Sequence, residues 1–150
     1  MDINEQIKEA IVKVATNPQN VDNYHELASL YDSQGMYDNM ISTYESLLNV
    51  SPQDYNALVN LGSIWFNKKD YQKSLEYLDK AINIDPMNYV GYYSIGNVYA
   101  ELKNFDKALE RYDRALDLGA PLVDVYNAMG QLFWDRKVYV EAEIYFKNVL

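Results

Sequence analysis

Pro18 in "TNP", Pro52 in "NVSP" and Pro86 in "NIDP" stand at equal intervals of 34 residues. The aromatic residues keep the same step. With Val21 as the first residue of a unit, the fourth, seventh, eighth and eleventh places read Tyr24, Leu27, Ala28, Tyr31, then Leu58, Leu61, Gly62, Trp65. The next two units read Tyr92, Ile95, Gly96, Tyr99 and Tyr126, Met129, Gly130, Phe133. Spacings of three, one and three put these residues on one stripe of an α-helix, so each unit opens with an amphipathic helix. A period of this length signals a repeat architecture, in which no unit buries its apolar face alone and stacked neighbours supply the core.

The second half of each unit predicts a second amphipathic helix, through Tyr37, Met40, Tyr44, Leu47; Tyr71, Ser74, Leu78, Ala81; Phe105, Ala108, Tyr112, Ala115; and Tyr139, Ala142, Phe146, Val149. Between the helices, Gly35, Asp70 and Asn104 are residue types that tolerate a left-handed helix ending. A proline then stops the second helix, with Pro121 one residue late in the third unit. Gly62, Gly96 and Gly130 recur where two helices must approach closely. Ten of the fifteen tyrosines (24, 31, 37, 44, 71, 92, 99, 112, 126, 139) fall on packing places and are expected in the core.

The stretches "NLGSIWFNKKDYQKSLEYLDKAINIDP" and "SIGNVYAELKNFDKALERYDRALDLG" resemble the tetratricopeptide repeat family, in register over residues 21–150. Met40, Ser74, Leu78 and Ala120 depart from the usual residue types without breaking the pattern. The resemblance implies an all-α fold, a right-handed superhelical solenoid of antiparallel helix pairs. It divides the chain into repeats at 21–54, 55–88, 89–122 and 123–150, the last incomplete at its C-terminus. Residues 1–20 precede them; their apolar Ile3, Ile7, Ala10, Ile11 and Val14 look like the second helix of a degenerate repeat, capping the first unit. The chain stops at "YFKNVL", which is expected to leave an apolar face around Leu132, Phe146, Val149 and Leu150 open to a second copy or another partner.

Composition narrows the function. Thirteen Lys plus Arg against twenty-two Asp plus Glu give a net charge of -9, which disfavours nucleic acid and anionic membranes. Without cysteine there is no disulfide, thiolate ligand or thiol nucleophile. The start "MDINEQIKEA" lacks a leader pattern and no apolar run reaches the ~18 residues of a membrane span, so the expected location is cytoplasmic. The lone His25 has no partners for a triad or a His-based metal site, and no phosphate-binding glycine loop is present. The chain therefore reads as a non-enzyme without cofactor or metal, with His25 an exposed groove residue.

In the family the second, fifth, sixth, ninth, twelfth and thirteenth places of a unit face a concave groove that binds peptide segments. Carried onto this chain, those places hold Asn56, Asn60, Phe66, Asn67, Tyr93, Asn97, Asn127, Gln131 and Trp134, with the carboxylates Asp22, Glu26, Asp32, Glu101, Asp124 and Asp135. No Lys or Arg stands among the twenty-four groove places. Asn side chains both donate and accept, so they can grip an extended backbone; the aromatics seat side chains and the carboxylates favour Lys or Arg. Adjacent Trp65 and Phe66 illustrate the division, Trp65 lying on the packing stripe and Phe66 turned toward the groove. The clamp by which some family members hold acidic chaperone tails is not expected, because its places read His25, Ser29, Asn60, Val90 and Ser94. The expected function is an adaptor, scaffold or co-chaperone module taking a neutral-to-basic extended peptide. The alternatives are a self-associating scaffold or array fragment, and a small acidic secretion chaperone.

Overall fold

The computed structural model describes residues 2–149, and these form nine α-helices without a strand. They are α1 (Ile3–Thr16), α2 (Val21–Ser33), α3 (Tyr37–Val50), α4 (Tyr55–Asn67), α5 (Tyr71–Ile84), α6 (Tyr89–Glu101), α7 (Phe105–Asp117), α8 (Leu122–Asp135) and α9 (Tyr139–Lys147). Each helix packs on the next in sequence, and α4 also meets α6, as α6 meets α8. The result is a helical solenoid.

Helix starts follow from local chemistry. Asn20, Asp54 and Asn88 are N-caps whose side chains accept from Asp22, Ala57 and Val90 backbone N–H groups. Asp70 and Asn104 likewise accept from Lys73 and Lys107 N–H. This corrects the expected role of Asp70 and Asn104: they start the second helices instead of ending the first ones. The left-handed residue is Gly35 in the first unit, as expected, and in the others it lies one position before the N-cap, at Lys69, Lys103 and Lys137.

The hydrogen bonds explain why. Asp70 N–H donates to Trp65 O at 2.9 Å and Lys69 N–H to Phe66 O at 2.9 Å, a pair of closures that needs one residue at positive φ. The same pairs recur as Asn104 to Tyr99 and Lys103 to Ala100. Gly119 closes α7 in this way too, so that helix is ended by a glycine closure before Pro121, which serves as N-cap of α8.

Packing within each pair turns on the eighth place. A Cβ built on Gly62 would sit 2.6 Å from Leu78 Cγ, one on Gly96 2.6 Å from Tyr112 Cδ1, and one on Gly130 2.5 Å from Phe146 Cε1. The large residue of the second helix thus lies directly on the backbone of the first. Ser74, in the same interface, is fully buried and donates its hydroxyl to Gly62 O at 2.7 Å, which satisfies a polar group where the family usually has Ala.

The core is three apolar clusters, one around Tyr24, Leu27, Tyr44 and Leu61, one around Leu78, Ile95 and Val98, and one around Tyr112, Met129 and Leu132. Helix α1 contributes Ile7 and Ala10 to the first, whereas Ile11 is exposed, contrary to expectation, because it points away from α2. Tyr37 and Tyr139, the first residues of α3 and α9, are also exposed. The other eight packing-place tyrosines are buried or half-buried.

Two outcomes are expected. Gly96→Ala gains about 1 kcal/mol of helix propensity but must displace the buried Tyr112 ring, so chemical denaturation should show a net loss on the order of 1–2 kcal/mol. Lys69→Gly removes a side chain from the left-handed region and should raise unfolding free energy by about 0.5–1 kcal/mol in the same assay.

Candidate functional site

Two contiguous cavities open on the face shared by α4, α6 and α8. The larger, about 310 Å³, is lined by Phe66, Asn97, Ala100, Glu101, Tyr112, Ala128, Gln131, Leu132 and Asp135. The smaller, about 190 Å³, is lined by Gly62, Ser63, Phe66, Asn67, Ser74, Leu78, Ser94 and Asn97. Phe66 and Asn97 form part of both walls.

Phe66 is half-buried, packed on the Leu78, Ile95 and Val98 cluster with its ring 5.8 Å from that of Tyr71. Its neighbour Trp65 packs on the first cluster and carries Lys73 Nζ 3.9 Å from its ring centroid. The two adjacent rings therefore serve different neighbours. Tyr112 O–H donates to Asn97 Oδ1 at 2.8 Å, which orients the carboxamide and leaves its Nδ2 donors for the cavities. Burial, with the nearby Tyr93 and the charge of Glu101, pushes the Tyr112 phenol well above its ordinary value.

The carboxylates divide by their partners. Asp135 accepts from Gln131 Nε2 at 2.8 Å and pairs with Lys103 Nζ at 3.3 Å. Glu26 pairs with Lys13 of α1 at 2.8 Å. Glu101, at the end of α6 and on the rim of the larger cavity, has no hydrogen bond or ion pair among the described residues. No Lys or Arg lines either cavity.

Of the sequence-predicted groove residues, Phe66, Asn67, Asn97, Glu101, Gln131 and Asp135 come together here. Asn56, Asn60, Asn127, Asp22, Glu26, Asp32 and Asp124 lie outside both cavity linings. Tyr93 is half-buried against Tyr112, with ring centroids 5.9 Å apart, and lines neither cavity. Trp134 is 54% exposed and stands edge-on to Tyr139 at 4.9 Å, beside the turn between α8 and α9. The cavity floors add Ser74, Leu78 and Tyr112 from second helices. The sequence signal for Ser74 and Leu78 is Gly62, whose missing side chain opens the floor of the smaller cavity to the helix behind.

Two expectations are corrected. His25 is not a free groove side chain: it is half-buried, its Nε2 lies 3.1 Å from Asp54 Oδ2, and its ring lies 6.0 Å from that of Tyr44. It ties the first unit to the N-cap of the second. Leu132 is 3% exposed, buried with Met129 and Val125, so it cannot belong to an open C-terminal face. Phe146 and Val149 are half-buried, and Leu150 lies outside the described residues. The exposed apolar residues at that end are instead Val140 and Ile144 of α9, with Leu122 and Val123 of α8. Among the described residues no group of three or more His, Asp or Glu side chains is arranged to hold a metal ion, and no helix is long and apolar enough to cross a membrane.

A solenoid of paired helices presenting a cleft of amides and apolar rings defines a helical-repeat protein-interaction module. Family models of the tetratricopeptide repeat match residues 21–54 and 55–88, and a TPR repeat model matches residues 96–136; the chain belongs to the tetratricopeptide repeat family. That family is generally a non-catalytic interaction module. No match was found among curated proteins.

Similar solved structures include MamA, at 24% identity and a TM-score of 0.86 over 99% of this chain and 86% of that one. MamA 41-end from Desulfovibrio magneticus RS-1 is 18% identical with a TM-score of 0.86, over 98% and 83%. Pseudomonas aeruginosa pilF is 18% identical with a TM-score of 0.78, over 99% and 76%. At these identities the likeness is one of fold.

Tyr112 gives the site a pH signature. Its phenol is held above the ordinary value of 10.0, so its contribution to stability is full below that pH. As pH rises further the unfolded chain releases the proton first and stability falls. Ultraviolet titration should therefore show a late-ionising tyrosine that is absent from Tyr112→Phe.

Proposed function

We propose that this chain is a non-catalytic adaptor that binds an extended, neutral-to-basic peptide segment of a protein partner along the face of α4, α6 and α8. The observation that carries the reading is the meeting of Phe66, Asn97 and Gln131 around two contiguous cavities free of basic side chains. An extended segment exposes backbone donors and acceptors along its length, which amide side chains match without reading sequence. The half-buried Phe66 supplies apolar area at low entropic cost because its ring is already packed on Leu78, Ile95 and Val98. The net charge of -9 adds attraction toward a basic segment and raises its rate of encounter.

The test is an immobilised array of random dodecapeptides probed with the purified chain and with a Ser63→Arg, Gln131→Arg double variant. Both substitutions lie at exposed helix positions on the cavity walls, so helicity and melting temperature should be preserved. The native chain should retain a subset of peptides with affinities weakened at least tenfold in the variant. Equal retention by both forms, or none by either, overturns the reading.

A further inference from the structure

We infer that the two cavities are neighbouring side-chain subsites, the larger taking a Lys or Arg and the smaller an uncharged residue of at most Leu size two positions away along the bound segment. This rests on the groove-binding reading above and adds to it a composition and a spacing.

The larger cavity has an apolar floor, where Phe66, Ala100, Ala128 and Leu132 meet. Such a floor suits the methylene stem of a long side chain whose charged end stays near water. At the rim, Asp135 is already engaged by Gln131 and Lys103, whereas Glu101 has no partner among the described residues. A Lys or Arg head would give Glu101 the charge-assisted hydrogen bond it lacks. An Asp or Glu there would meet Glu101 as a like charge, and a fully apolar side chain would gain nothing from its carboxylate.

The smaller cavity has no ionisable lining residue. Ser63, Ser94 and Asn67 bound it, Leu78 floors it, and its volume of about 190 Å³ is well under that of its neighbour. Ala, Ser, Thr, Val or Leu fits this chemistry; a charged side chain would find no counter-ion.

The spacing follows from the shared wall. Phe66 and Asn97 line both cavities, so a segment crossing them places consecutive same-side residues in each, and same-side residues of an extended chain recur every second position, about 7 Å apart. Between them stands Asn97, whose Oδ1 is taken by Tyr112, leaving its Nδ2 to donate to the carbonyl of the intervening residue.

The dodecapeptides retained by the native chain decide the matter when scored by position and then probed with Glu101→Gln and Glu101→Lys, both at an exposed helix end. Retained peptides should be enriched in Lys or Arg two positions from Ala, Ser, Thr, Val or Leu. Replacing that Lys by Ala in a resynthesised peptide should weaken binding roughly tenfold for the native chain and only about threefold for Glu101→Gln, which keeps the floor for the stem but not the charge. Glu101→Lys should shift the preference toward Asp or Glu. If peptides are retained without this pairing, or the preference for Lys persists undiminished in Glu101→Gln, the subsite inference is overturned while groove binding stands. Retention that ignores the Ser63→Arg, Gln131→Arg variant removes both.

Discussion

The close approach of the two helices within each pair is the constraint on which the rest of this molecule depends. Leu78, Tyr112 and Phe146 each rest on a glycine of the preceding helix at distances where no side chain would fit. Close packing at that point lets one large residue be shielded on several sides at once, and Tyr112 and Leu78 are accordingly almost fully buried. The first unit shows the limit of the device: Ala28 replaces the glycine, and Tyr44 is still buried beside it in the same cluster. Because the paired helices are held so near, the groove between successive first helices is shallow but has a floor made by side chains from behind.

Helix phasing is secured by backbone accounting. Each first helix ends with two carbonyls satisfied by the N–H groups of the turn, and each second helix begins after three intervening residues. The turn geometry is the same whether its left-handed residue is Gly35 or one of three lysines. Lysine gains nothing from that conformation. Its presence at Lys69, Lys103 and Lys137 means the packing of the paired helices dictates the turn and overrides local preference. The closing bonds reach the carbonyls of Trp65 and Tyr99, the same aromatic places that build the core, so core and turn are positioned together.

The electrostatics of the site emerge from subtraction. The chain is strongly acidic, but its groove carboxylates are not equivalent once folded. Lys13 reaches across from α1 to Glu26, and Lys103 reaches from one turn to Asp135 near the next. Exposed pairs of this kind contribute little to stability. Of the two carboxylates that line the larger cavity, the pairing of Asp135 leaves Glu101 uncompensated, beside the apolar floor formed by Phe66 and Leu132.

How much of this was legible before folding is seen residue by residue. The period of 34, the paired helices and the small eighth place all follow from the sequence, because helical periodicity sets which side of its own helix a residue occupies. Phe66 and Asn97 could be assigned to the groove on that basis. Periodicity says nothing about what arrives opposite that side. Trp134 holds the same place as Phe66 two repeats later, yet it stands exposed beside Tyr139 while Phe66 packs against Ile95 and Val98 of α6. His25 read as a free groove residue until Asp54 of the next unit came within 3.1 Å, and Leu132 read as an open edge until Val125 and Met129 closed over it. The sequence by itself determined the helices, their order and the faces they present. Only the tertiary structure decided which of those faces are covered, which charges are paired and where the cavities open, because each depends on contacts between residues far apart in the chain.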